Sequence, residues 1–322
     1  MQELYQTAFV EMKENLPIKI ELPDSFFNEE ERCGHVVSSL MKKVWAVELD
    51  LLSEFARCCE KHHLKWFADG GTMLGAARHQ GFIPWDDDVD IAMLREDYDK
   101  FCAIACQEFS QPYFFSTELT DPGAIHGFAR LRNSSTTAIM TPHLEKRFSF
   151  NQGIFIDIFP LDNVPEDNVS RKDLLQRFQS NKQMCGTISG CTFMYRPHKH
   201  EGMVSYVKHW LKHVCYSCVR MDRKYTASVE RMYADMRQYQ NVKTPYVAEL
   251  MWLKDGSHRL LKKEWYDGVE WLPFEMLKVP MPMAYKELLG HIYGDWHEFV
   301  KGGSIHGEML FDPLKPYTEY IK

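Results

Sequence analysis

Residues 82–91 read Phe82-Ile83-Pro84-Trp85-Asp86-Asp87-Asp88-Val89-Asp90-Ile91. Four carboxylates fall in the five positions 86–90, and apolar residues close in on both sides. Acidic runs ordinarily belong to solvated loops or tails, yet this one leads straight into Ile91 and Ala92. In extended backbone, side chains two apart share a face. A strand over 86–93 would therefore put Asp86, Asp88 and Asp90 on one face, with Asp87, Val89 and Ile91 on the other. Three carboxylates on one face repel each other unless a cation lies among them. A divalent-metal site is the economical reading, and such sites commonly act on phosphate.

Working outward from that stretch, residues 37–63 carry Leu40, Val44, Val47, Leu51, Phe55 and Cys58 at spacings of three and four, which predicts a helix. Residues 65–68 are short and aromatic and read as a strand. The strand runs into a tight turn, Asp69-Gly70-Gly71-Thr72, with Thr72 the expected N-cap of a short helix that Gly81 ends. Residues 97–109 read as another helix, with Tyr98, Phe101 and Ile104 on one face. Residues 127–132 and 136–140 look like short strands. Residues 153–159 form an apolar strand interrupted only by Asp157, and Pro160 is expected to close it.

This order predicts an α/β (α+β) core over residues 36–165, a mixed sheet flanked by helices, preceded by a poorly specified lead-in at 1–35. Residues 166–322 read as a mainly helical region that completes the substrate pocket. Within it, Asp267-Gly268 suggests a hairpin inside 262–278, and 285–292 reads as a last helix.

The 322 residues are 45% hydrophobic and 26% charged, the profile of a globular protein with a full-sized core. A formal charge of −7 argues against a general nucleic-acid binder. No stretch approaches the length of apolar sequence that a membrane span needs. Residues 1–14 lack the basic and apolar regions of an export signal, so the nine cysteines are expected as reduced thiols in a cytoplasmic protein.

Three elements point to shared chemistry. The Gly70-Gly71-Thr72 turn lets backbone come close to an anion at a helix start. The acidic strand supplies Asp88 and Asp90. Asp157 is isolated in apolar text, and a buried carboxylate needs a cation or a basic partner. Hard cations held by Asp88, Asp90 and Asp157 could bridge phosphate oxygens, with Arg78, Arg130 and Arg132 clamping the remaining charge. Phosphoryl or nucleotidyl transfer is the reaction class this serves.

The run Gly70-Gly71-Thr72-Met73-Leu74-Gly75-Ala76-Ala77-Arg78-His79, followed by residues 83–92, resembles the LicD family, whose animal relatives are fukutin and fukutin-related protein. Residues 155–162 resemble its second hallmark, and Tyr293-Gly294-Asp295 its third. The resemblance spans roughly residues 38–300. It implies a nucleotidyltransferase fold with site roles at Gly70, Gly71, Thr72, Asp88, Asp90 and Asp157, and with Asp86 as the family's extra aspartate. It also implies Mg²⁺ or Mn²⁺ as cofactor. The expected reaction moves phosphocholine from CDP-choline to a hydroxyl of a cell-surface glycan or its precursor. CDP-linked ethanolamine, glycerol or ribitol donors are the alternatives, as is a non-catalytic nucleotide- or glycan-binding scaffold. Nucleotide transfer from a nucleoside triphosphate would use the same metal site. Either Asp157 or Asp86 could accept the hydroxyl proton. A lipid-linked acceptor would bring the protein to a membrane surface without a span.

Other features carry blander readings. Cys215 and Cys218 invite a zinc site with Cys185 and Cys191, but the irregular spacing favours core thiols. His62, His63, His198 and His200 lack a partner set. Trp85, Trp252, Trp265 and Trp271 could cage a quaternary ammonium, though each alone reads as core. Asp162 reads as a turn cap after Pro160.

Overall fold

The computed structural model describes residues 16–144, 148, 150–192, 202–219, 221–254, 258–301 and 309–321. The end of the expected lead-in has regular structure: β1 (Glu30–Arg32) and β2 (His35–Val37) form an antiparallel hairpin. Its Arg32 is held by the side chain of Glu275, Nη2 to Oε2 at 3.1 Å. Ser38 then caps the long helix α1 (Ser39–Lys61), accepting from the Met41 N–H. The stripe of Val44, Val47, Leu51, Phe55 and Cys58 is buried as its spacing predicts, while Leu40 in the first turn stays exposed.

β3 (Phe67–Ala68) leads into α2 (Gly70–His79), and β4 (Asp90–Leu94) into α3 (Arg95–Glu108). The expected strand over 86–93 therefore starts only at Asp90. Residues 86–89 form a loop that bends back on Asp86 N–H to Ile83 O, 2.9 Å. The α2 helix ends at His79, one residue before a left-handed Gln80 (φ 56°), rather than at Gly81.

After β5 (Tyr113–Ser116), β6 (Ala129–Asn133) and β7 (Thr137–Met140) comes β8 (Ile154–Val164), every residue of it buried. One edge of β8 takes β4 in parallel. The other edge takes β6 along residues 154–158, then β9 (Tyr246–Ala248) along 162–164, both antiparallel. Pro160 does not close this strand. The Asp157 N–H points to the β4 side, so residue 160, of opposite parity, aims its nitrogen at the edge left vacant between β6 and β9. The missing proline donor costs no ladder bond there.

α4 (Asn168–Thr192), α5 (Met203–Cys218) and α6 (Met221–Arg237) provide the helical stretch expected after residue 166. A second apolar core, including Leu174, Phe178, Tyr225, Val229 and Met232, joins α4 and α6. β9 and β10 (Leu261–Lys262) then extend the main sheet, so its order is β10-β9-β8-β4-β3 with β6 and β5 on the first half of β8. β11 (Val269–Phe274) and β12 (Leu277–Pro282) form the expected hairpin, but its turn lies at Glu275-Met276 and not at Asp267-Gly268. Tertiary partners fix that turn: Glu275 is left-handed (φ 51°), donates its N–H to Gln80 O at 2.8 Å and holds Arg32. α7 (Tyr285–Tyr293) follows, and β13 (Met309–Asp312) pairs with β7. Among the described residues no helix is long and apolar enough to cross a membrane.

Candidate active site

The site is built where α2 begins beside β4. Asp69, extended at φ −132°, precedes a left-handed Gly70 at φ +47°, and the helix starts there. Thr72 does not cap it. Its Oγ1 accepts from the Asp90 N–H at 2.8 Å and pins the helix to the strand. The Gly71 N–H approaches Asp90 Oδ2 at 3.4 Å. A Cβ on Gly70 would collide with the Asp90 carboxylate, and one on Gly71 with that of Asp86. Both glycines therefore exist to let carboxylates lie against the helix start. From the other side, Trp45 Nε1 on α1 donates to the Asp86 carbonyl at 3.0 Å and fixes the acidic loop.

These residues form one wall of a cleft of about 500 Å³, which Asp86, Asp88 and Asp90 all line. Trp85 and Arg78 continue that wall, and Tyr293, Asp295 and Trp296 stand on the C-terminal side with Arg259. Oxygens of Asp86, Asp87 and Asp88 lie within 4.8 Å of one another. Burial, then repulsion from Asp88 and Asp87, pushes the Asp86 carboxyl up to about 8. Burial, then Asp88 and Asp157, raises Asp90 well above the usual carboxylate range.

Glu48, one helical turn beyond Trp45 on α1, adds a further acid that sequence reading missed. It is 1% exposed, and its Oε2 has no hydrogen-bond partner among the described residues. Burial and then Asp88, Asp87 and Asp86 raise its carboxyl as well. Hard oxygen donors, an unsatisfied buried carboxylate oxygen and a cradle free of Cβ atoms together fit a divalent cation such as Mg²⁺ or Mn²⁺.

Asp157 is in register with Asp90 on the neighbouring parallel strand, as a shared sheet requires. It is 1% exposed, and both of its oxygens accept from Arg130, Nε at 2.6 Å and Nη2 at 3.1 Å. Arg130 is thus committed to Asp157 inside the sheet and is not presented to the cleft as a phosphate clamp. Arg132 is corrected in the same way. It is buried, donates to Gly153 O at 2.9 Å and stacks over Phe155, 4.8 Å from the ring centre. Burial and the adjacent Arg130 bring its guanidinium down to about 9. Arg78 does face the cleft, where its Nη1 holds the carbonyls of Trp296 at 3.0 Å and Glu298 at 2.9 Å. It therefore fixes the far lip. Arg259 is the cleft cation missed in the sequence; a lone arginine in a loop gives no signal there.

Of the four tryptophans considered for a cage, only Trp85 lines this cleft. Trp265 packs on His291 and Trp271 on Trp66. The aromatic wall is completed instead by Tyr293 and Trp296. Asp162 caps no turn: Arg95 grips it bidentately at 2.6 and 2.9 Å in full burial. Cys185 is a core thiol as expected, but Cys215 and Cys218 are exposed, because the α5 face that carries them points outward. The Cys191 side chain, His198 and His200 lie outside the described residues. His62 finds a partner in Glu108 at 2.9 Å.

Comparison with known proteins agrees with the geometry. Residues 63–196 match the family described as LicD/FKTN/FKRP, nucleotidyltransferase domain. The lipopolysaccharide cholinephosphotransferase LicD of Haemophilus influenzae is 26% identical over 254 residues, covering 77% of this chain and 88% of that protein. An uncharacterised protein of Rickettsia typhi is 42% identical over 57 residues, 18% of either chain. The human ribitol 5-phosphate transferase FKRP is 50% identical over 34 residues, 11% of this chain and 7% of that one.

Proposed function

We propose that this chain, whose residues 63–196 carry a LicD-type nucleotidyltransferase domain, transfers a phospho-alcohol, phosphocholine before others, from a CDP-linked donor to a hydroxyl of a cell-surface glycan or its precursor. The observation that carries this reading is the convergence of Asp86, Asp88 and Asp90 on the Gly70–Gly71 helix start within one cleft. A binding scaffold has no need of such a crowd of carboxylates. Asp88 and Asp90 are assigned to Mg²⁺ or Mn²⁺, which when bound neutralises diphosphate charge and polarises the phosphorus. The α2 N-terminus adds backbone N–H groups toward the same anion.

In the balanced reaction, the acceptor oxygen forms a bond to the phosphorus that bears the alcohol. The bond from that phosphorus to the bridging oxygen breaks, and CMP leaves with the bonding pair. The acceptor's proton goes to a carboxylate. Asp86 suits this role better than Asp157, because it lines the cleft, whereas Arg130 occupies both Asp157 oxygens. Asp157 and Arg130 then support Asp90 from the neighbouring strands.

The choice of phosphocholine is supported by the aromatic lining of the cleft. Trp85, Tyr293 and Trp296 offer aromatic faces, and Asp295 lies beside them, the chemistry that receives a quaternary ammonium. Free cysteines throughout the described residues accord with a cytoplasmic setting. The deciding experiment is incubation with Mg²⁺ and, separately, CDP-choline, CDP-ethanolamine, CDP-glycerol and CDP-ribitol, following CMP. CMP from CDP-choline above all others is expected. CMP from none of them, or pyrophosphate from a nucleoside triphosphate instead, would overturn the reading.

A further inference from the structure

Glu249 is a buried acid whose charge is met by Arg259. It follows β9, whose Ala248 is in register with Asp162 on β8, and its carbonyl accepts from the Trp252 and Leu253 N–H groups at 3.0 Å each. Its side chain is only 4% exposed. Oε1 has no hydrogen-bond partner among the described residues, while Oε2 stands 3.9 Å from Arg259 Nη1. Burial, then the neighbouring Asp69 carboxyl, raises the Glu249 carboxyl well above the ordinary carboxylate range. Asp69 is buried too and directly precedes Gly70 at the start of α2. Arg259 offsets the negative charge of both acids, and Glu249 ties its guanidinium to the sheet.

Arg259 keeps 21% of its side chain exposed and lines the same cleft as Asp86, Asp88 and Asp90. A guanidinium carries its N–H donors on a planar fork, so it can meet Glu249 along one edge and a ligand along another. The lining of that cleft holds five acids and two arginines. A diphosphate entering there adds negative charge to a wall already acidic, and one divalent cation does not balance the sum. Arg78, the other arginine, is engaged at the lip: Nη1 donates to two backbone carbonyls and Nε to His79 Nε2 at 2.9 Å. Arg130 and Arg132 are buried in the sheet.

We propose that Arg259 is the cation that grips the diphosphate of a nucleotide in this cleft, and that Glu249 is the residue that positions it. The assignment deepens the transfer reading and rests on its diphosphate-bearing donor.

The test is calorimetry of CDP binding to the full chain at saturating Mn²⁺, with Mn²⁺ binding measured alone beside it. Arg259→Met should weaken CDP by about tenfold or more, the contribution of a hydrogen bond to a charged group. Mn²⁺ affinity should not fall, because removing a positive charge does not repel a cation. Arg259→Lys keeps the charge beside Glu249 but not the fork, so it should stay folded and still bind CDP several-fold more weakly. Glu249→Leu should weaken CDP in the wild type and have no further effect in the Arg259→Met protein. CDP affinity unchanged in both Arg259 variants overturns the proposal, and so does a wild type that binds no CDP. An equal fall in CDP and Mn²⁺ affinity overturns it as well, because Arg259 would then only support the fold. An equal loss from Glu249→Leu with and without Arg259 refutes the positioning role. Weakened CDP binding by the variants of a protein that releases CMP from no CDP-linked alcohol would uphold Arg259 as a diphosphate site and sink the transfer reading.

Discussion

Asp90 and Asp157 stand side by side on adjacent parallel strands, yet Asp90 opens on the cleft while Asp157 is buried beside it and paired with Arg130. What reads along the chain as one trio of acids is thus divided between the cleft and the sheet interior. Asp86, Asp88 and Asp90 face the ligand, and the Asp157–Arg130 pair holds the strand that presents Asp90.

That division sets distinct penalties. Arg130→Met leaves a buried carboxylate uncompensated and should cost about 3–5 kcal/mol of unfolding free energy in urea. Adding Asp157→Leu should recover a large part of the loss, since an apolar pair of similar volume tolerates the site. A single variant within about 1 kcal/mol of wild type would show that the pair does not support the sheet.

Gly71→Ala should separate activity from stability. Its Cβ would push into the Asp86 carboxylate, while its φ lies outside the left-handed region. CMP formation should fall by about a hundredfold or more, with a melting temperature near that of wild type. Gly70→Ala adds the left-handed penalty at φ +47° and should also lose about 1–2 kcal/mol of stability. Full activity in Gly71→Ala would mean that Asp86 has room to spare.

Metal-free stability should fall as pH rises. The folded protein holds the Asp86 carboxyl at about 8 against an ordinary 3.8. Between those values the native state therefore binds more protons than the unfolded chain, and stability declines with pH until Asp86 has ionised in both states. Asp86→Asn should flatten the slope of melting temperature between about pH 5 and 8. A divalent cation replaces the proton, so the gain in melting temperature on adding Mg²⁺ should grow over the same window. A gain that does not vary with pH would contradict the assignment.

Trp296→Ala should act through the donor's alcohol. Loss of one aromatic face at an ammonium site removes about 1–2 kcal/mol, so KM for CDP-choline should rise roughly five- to thirtyfold. KM for CDP-ribitol, which carries no cation, should change little. Equal effects on both donors would place Trp296 outside the alcohol pocket.

The sequence exposed the parts of this molecule governed by short-range pattern. The α1 stripe, the all-apolar β8 around Asp157 and the glycine turn before the acidic run each have a period or composition that packing simply fulfils. The Arg130–Asp157 pair was hidden because it depends on the register of β6 against β8, which no local pattern encodes. The start of β4 at Asp90 followed from Trp45 and Ile83 holding the loop, both contacts from outside it. Glu48 did leave a trace: with Val44, Leu51 and Phe55 it completes the helical spacing 44, 48, 51, 55 as a lone acid inside a buried stripe. Trp296 and Arg259 meet the cleft only through the long return of the chain.

Titration calorimetry of Mn²⁺ into the wild type, Asp88→Asn and Asp90→Asn proteins probes the cation site without reference to donor or acceptor. The wild type should bind the ion, each variant should bind at least about tenfold more weakly, and circular dichroism should show all three folded. Undiminished Mn²⁺ affinity in both variants would mean that these carboxylates converge for some reason other than a metal, and the proposed transferase would have no site.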